Sequence, residues 1–352
     1  MSGSSGSQGK TLFRRRWEHT VTREGVRGAR PGREALTGVH TGRPRGRGRR
    51  GEQPMVPPAE FTSYYGQPVI NRPVWQAPDI PGYLFLGGLA GAGSLLGAGA
   101  QLTGRPDLAR VAKAGSFGAG LASMAALVHD LGRPARFLNM LRMFKVTSPM
   151  SVGSWLLAGY IPAAGVAALT AALPGRLPRV GAAATAGSAL LGPGVAAYTG
   201  ALIADTAVPA WHDGFLEMPF VFVGSGAMAA GGFGLLAAPL EQSAPARNMA
   251  ILGLVTEASA FERMTRRIGM VAEPYHSGRG GAYVRAGQVL SVLALAGALL
   301  GRRSRAISML SGAAFMAASA ATRWGVFNAG LASADDPKYT IVPQRARLQA
   351  RP

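Results

Sequence analysis

The fold turns on residues 129–155, HDLGRPARFLNMLRMFKVTSPMSVGSW. The run Ala112–Val128 before it is largely apolar, and a second apolar run begins at Val152. Between the two stand His129, Asp130, Arg133, Arg136, Asn139, Arg142 and Lys145. Charge this dense at the mouths of two hydrophobic helices marks either a site at a membrane surface or a set of lipid anchors. The second reading draws on the way Arg stems snorkel along apolar surface toward phosphates.

Working outward, apolar runs recur at 81–102, 112–130, 151–173, 181–204, 218–240, 247–262, 284–301 and 305–330. Most reach the roughly 20 residues needed to cross a hydrocarbon core of about 30 Å. The sixth is the weakest, being short and interrupted by Glu257. The composition agrees: 48% of residues are hydrophobic and 15% charged, against about 25% charged in a soluble domain. The expectation is an all-α integral membrane protein of about eight spans over residues 81–330, in the cytoplasmic membrane of the cell. Gly87-x-x-x-Gly91 and Gly93-x-x-x-Gly97 in the first span place small residues where helix backbones approach each other in lipid.

The flanks read differently. Residues 1–54 hold 13 of the 37 Lys and Arg against 4 acids. They contain few large apolar side chains, so they cannot bury enough surface to offset ordering and are expected to be a disordered basic tail. No apolar stretch of 7–15 residues follows the basic residues, so no secretory signal is expected there. Within that reading Met55 is the expected native start, and residues 1–54 are translated upstream sequence. Residues 55–80, with Pro68, Pro73 and Pro78, form an extended lead-in, and residues 331–352 a C-terminal tail. The net charge of +20 suggests nucleic acid at first sight. Its division between the tail and short loops argues for lipid contact instead, and no nucleic-acid partner is expected. The absence of Cys removes the usual ligands of iron–sulfur clusters, so any such cluster belongs to a partner.

Eight spans put alternate connections on opposite sides. His129, His212 and His276 fall on one side, with Asp79, Asp130, Asp205, Asp213, Glu217 and Glu273. The other side has only short turns. Lys and Arg counts on the two sides do not separate, so charge leaves the orientation open. The histidines lie at helix ends or in loops, with no ligand-spacing motif for a metal. A haem within the bundle needs axial ligands such as a buried mid-span His, and none is present.

The segments Tyr83-Leu-Phe-Leu-Gly-Gly-Leu-Ala-Gly91, Asp130-Leu-Gly-Arg-Pro-Ala-Arg-Phe137, Thr147-Ser-Pro-Met-Ser151 and Tyr198-Thr-Gly-Ala-Leu202 resemble the NrfD/polysulfide reductase membrane-subunit family. Ala204–His212 and the end Asn328-Ala-Gly…Asp336-Pro-Lys-Tyr fit a branch of it, so the likeness runs over about residues 60–345. The resemblance implies two packed four-helix bundles, no haem, and a menaquinone-type quinone site. It also implies a docked ferredoxin-like iron–sulfur subunit with a molybdopterin catalytic subunit beyond. It places quinone contacts on Tyr83, where family members also carry His, and on Tyr198.

Quinone chemistry needs donors for two ring oxygens, a route for two protons and an apolar cleft for the tail. Asp79 and Tyr83, four apart, share one helix face, as do His129 and Arg133 if the second helix reaches that far. The expected quinone-binding set is Tyr83, Asp79, His129, Asp130, Arg133 and Tyr198. Asp205, two turns beyond Tyr198, and Glu257 are expected to carry protons. Each has a plainer reading: Asp130 pairing with Arg133, Tyr198 in an interfacial belt, Glu257 pairing with Arg323, because ionisable groups within a membrane are functional or paired. A secondary transporter and a purely structural anchor are the alternatives. Inverted repeats would mark a transporter, and the two halves show no clear self-similarity.

Overall fold

The computed structural model describes residues 69–132, 135–173, 175 and 177–349. Residues 1–54, the Met55 start and most of the lead-in lie outside the described residues. All regular elements among the described residues are helical. Eight helices have twenty residues or more: α1 Asp79–Leu102, α2 Pro106–Asp130, α3 Pro149–Ala172, α4 Pro178–Ala204, α5 Met218–Ala237, α6 Ala244–Ile268, α7 Gly278–Leu300 and α8 Arg305–Asp335. Short helical segments Ala135–Met140, Pro209–His212 and Glu273–His276 interrupt the connections, and Lys338–Gln349 is helical within the expected C-terminal tail.

The eight helices coincide with the eight apolar runs, and six of them begin before their runs, whereas α5 stops three residues short of its run. Pro106, Pro149 and Pro178 open α2, α3 and α4, and Pro219 and Pro245 stand second in α5 and α6. A first-turn proline lacks only an N–H that has no helical acceptor, and its φ is preset. Helices α1 to α5 and α7 are long and apolar enough to cross a membrane by length and composition. Helices α6 and α8 match them in length but are more polar. Helix α6 continues beyond the predicted run over Arg263, Arg266 and Arg267, and α8 carries Arg323. Leu95, Leu169, Leu190, Leu252, Val292 and Leu310 point outward and are exposed. Large apolar side chains exposed on six of the long helices suit hydrocarbon rather than water.

Helix α1 lies at the centre, packed on α2, α4 and α5. Helix α3 packs on α4 and α2, α5 on α6 and α8, and α7 on α8, whereas α6 and α7 barely touch. The α1–α4 contact is backbone on backbone. A Cβ at Gly91 would strike the carbonyl of Gly192, and a Cβ at Gly192 the carbonyl of Gly91.

The two ends differ as the loop lengths predict. At one end Gln242 accepts from the backbone N–H groups of Asp107 and Leu108 at 2.9 and 3.2 Å, joining two short turns. At the other, Trp75 of the lead-in stacks on Trp211 with ring centroids 5.7 Å apart. There the Trp211 indole N–H donates to the Val326 carbonyl at 2.8 Å, and the Tyr275 hydroxyl to Ala210 O at 2.9 Å.

At that elaborate end, Glu217, the residue before α5, is buried. Arg267 grips it with contacts of 2.6, 2.9 and 3.0 Å, and Arg263 approaches to 3.5 Å. The Arg267 hydrogen bonds hold the Glu217 carboxyl below the usual carboxylate range, against the opposing effect of burial. A carboxyl lowered on folding adds stability above its unfolded pKa, and that stability fades as the pH falls through the folded value. Glu217→Gln is therefore expected to cost about 1.5–3 kcal/mol near neutral pH. The gap from wild type should close as the pH drops below about 4. Thermal unfolding of the detergent-solubilised chain across pH measures this; a gap that is constant with pH would refute the ion-pair account.

Candidate functional site

Beneath the elaborate end, α1, α2, α3 and α4 enclose a narrow cavity of about 60 Å³. Its walls are mostly apolar, including Ile80, Leu84, Leu127, Met140, Met150, Leu157 and Leu202. The polar groups are few: Tyr83 from α1, Asp130 from the end of α2, Ser154 from α3 and Tyr198 from α4. Three of the residues singled out in the sequence, Tyr83, Asp130 and Tyr198, thus line one space although they come from three helices.

The tyrosines are buried and hydrogen-bonded to each other through their hydroxyls. Ser123 of α2 donates to the Tyr83 carbonyl at 3.0 Å, tying that turn of α1 to its neighbour. The Tyr198 ring lies close against Gly153, where a Cβ would run into it. Gly153 is therefore a positioning residue for Tyr198. Only its small size and its place in the first turns of the third span signal this in the sequence.

Asp130 is part of the cavity wall, whereas Asp79 and His129 lie outside the lining. His129 Nδ1 and Asp79 Oδ2 are 2.8 Å apart, with the imidazole largely exposed. Asp130 Oδ1 accepts from the backbone N–H of Gln76 at 3.4 Å. These contacts fasten the lead-in and α1 to the end of α2. Arg133 lies outside the described residues. Trp75 also lines the cavity, backed by the fully buried Trp211. Nothing in the composition of the Pro-rich lead-in singles Trp75 out.

Two expected residues stand apart. Asp205 ends α4 and is exposed, outside the cavity lining. Glu257 is buried in the middle of α6, beside α8. The expected ion pair with Arg323 does not form. Thr322, the preceding residue, donates instead to Glu257 Oε1 at 2.6 Å. Arg323 Nη2 donates to the Phe222 carbonyl at 2.6 Å, and the guanidinium sits 3.7 Å from the Phe222 ring centroid. The carbonyl and the π-face stand in for a carboxylate only in part, because Arg323 Nε and Nη1 are buried without a hydrogen-bond partner among the described residues. Among the described residues, no group of three or more His, Cys, Asp or Glu is placed to hold a metal ion.

Six helices long and apolar enough to cross a membrane, packed around a mostly apolar cavity, are the architecture of a polytopic membrane protein. The sequence profile described as "Polysulphide reductase, NrfD" matches residues 69–258, more than half of the 352-residue chain, and the chain belongs to that family. The match takes in α1 to α5 and most of α6, hence every residue of the cavity. No curated protein matches the chain. It is a multi-pass membrane protein of the family that supplies membrane subunits to polysulphide and related reductases.

Proposed function

We propose that this chain is the membrane-anchor and quinone-reacting subunit of a multi-subunit oxidoreductase. It passes electrons between a menaquinone-type pool and a ferredoxin-like iron–sulfur subunit, with a molybdopterin catalytic subunit beyond. The observation that carries the reading is the cavity: two phenolic hydroxyls and one carboxylate in an apolar enclosure under the elaborate end. All eight long helices span the cytoplasmic membrane in this reading, α1 to α4 and α5 to α8 forming two four-helix units. The packing of α1 with α4 and of α5 with α8 supports that division.

The donor set suits a quinone or quinol, which is the substrate. Tyr83 and Tyr198 offer hydroxyls to ring oxygens, and the Leu and Met walls take the ring and the start of its tail. Ligand cavities run to about 300–1,000 Å³, so an entering ring parts the Tyr83–Tyr198 hydrogen bond and takes both hydroxyls for itself. Asp130 at the wall and the Asp79–His129 pair next to it in this reading hold and pass protons between the ring and water, and Arg133, three residues on in the chain, belongs to the same proposed set. Asp205 receives protons at the surface. Glu257, in the other unit, is the carboxyl placed to carry protons within the membrane.

Purification of the tagged full chain from its native membranes tests this reading. The expected result is co-purification of a Cys-rich iron–sulfur subunit and a molybdopterin subunit. The preparation should exchange electrons with a water-soluble naphthoquinone. Recovery of the chain without such partners, and with no quinone-dependent turnover, would point to a transporter instead.

A further inference from the structure

A second cavity, of about 360 Å³, opens on the outer surface between α6 and α7, where those helices barely touch. It is larger than the tyrosine cavity and within the usual range for small-molecule sites. Its lining is apolar on α6 at Leu254 and Phe261 and on α7 at Val284, Val292 and Leu295. Near the middle of both helices it turns polar, with Glu257, Gln288, Ser291 and Thr322. Glu257 is buried, and its Oε2 has no hydrogen-bond partner. Gln288 is exposed and makes no side-chain hydrogen bond among the described residues. An unpaired amide at mid-membrane depth is costly, because hydrocarbon offers it no partner.

The depth and the chemistry restrict the occupant. A phospholipid headgroup stays at the interface, and an acyl tail brings nothing that bonds to an amide or a carboxyl. A ligand that dissolves in the bilayer and carries both O–H donors and carbonyl acceptors on a compact ring meets both demands. We propose that the α6–α7 cleft is a second binding site for a quinone or hydroquinone head group. Gln288 bonds one ring oxygen, and the Glu257–Thr322 pair forms the polar floor. The inference rests on the reading of the chain as quinone-reacting, but on different residues from the tyrosine cavity.

Photolabelling separates the two. The full chain, in nanodiscs of its native lipid, is irradiated with an azido-substituted short-chain naphthoquinone, and labelled peptides are mapped by mass spectrometry. Label is expected both on peptides carrying Tyr83 or Tyr198 and on the α7 peptide around Gln288. Gln288→Leu, a lipid-facing change that keeps the helix, should reduce α7 labelling roughly twofold to tenfold and leave the tyrosine-site label unchanged. Glu257→Gln, near-isosteric and able to keep the Thr322 bond, should reduce it as well. Label confined to the tyrosine site would overturn the second site and leave the proposed function standing. Label on α7 that neither substitution changes would mean that an acyl chain or a partner helix fills the cleft, and it would overturn the proposal too. Label at neither place would remove both readings.

Discussion

Gly91→Leu is expected to abolish assembly of the chain in the membrane. Helices α1 and α4 meet backbone to backbone at Gly91 and Gly192, with no room even for a Cβ. A leucine must therefore separate the helices by several ångströms or leave them unpaired. Overpacking of a built core costs typically about 1–3 kcal/mol, and more where backbone blocks relaxation. In lipid, where helices associate through close packing, there is no compensating hydrophobic gain. Because α1 also contacts α2 and α5, the loss spreads across the bundle. The measurement is the amount of monodisperse protein recovered from membranes in mild detergent, expected to fall at least about tenfold for a cost of about 1.4 kcal/mol or more. Gly99→Leu is the control, since nothing lies within 4 Å of a Cβ at Gly99. Equal recovery of both variants would mean that the α1–α4 contact is not what holds the bundle together.

The double substitution Tyr83→Phe, Tyr198→Phe is expected to leave assembly intact and to impair reaction with quinone. The two hydroxyls are each other's partners inside the protein. Removing one would strand the other, but removing both replaces a bonded pair by apolar edges, which is close to neutral for stability. A bound ring loses two donors at once. At about 0.5–1.5 kcal/mol for each bond, quinone-linked turnover at low quinone concentration should fall roughly fivefold to a hundredfold. Activity with an artificial dye that reacts at the catalytic subunit should stay unchanged in the same preparation. A parallel fall in both activities would indicate damaged assembly. No fall in either would take the tyrosines out of the quinone site.

The helices were legible because an apolar run of about 20 residues has few uses other than crossing a bilayer. Their ends were less so: the charged turns of α6 at Arg263, Arg266 and Arg267 are helical but look like loop. Alternating the sides of the spans was enough to bring Tyr83, Asp130 and Tyr198 to one face, and the cavity gathers all three. What the sequence did not show depends on azimuth, the direction in which a helix face points. Asp79 reaches across to His129, Gly153 receives the Tyr198 ring, and Arg323 turns to Phe222 rather than to Glu257. Lys113 is a further case. Inside α2 it is buried and donates to Gln101 of α1, a pairing between helices that spacing along one helix cannot indicate.

If the proposed function holds, this chain itself binds quinone at the tyrosine cavity. Equilibrium binding of a short-chain naphthoquinone to the full chain in lipid nanodiscs, compared with the Tyr83→Phe, Tyr198→Phe variant, tests it most directly. The expected result is saturable binding that the double substitution weakens roughly fivefold or more. Partitioning that never saturates, or an isotherm that both proteins share, would contradict it.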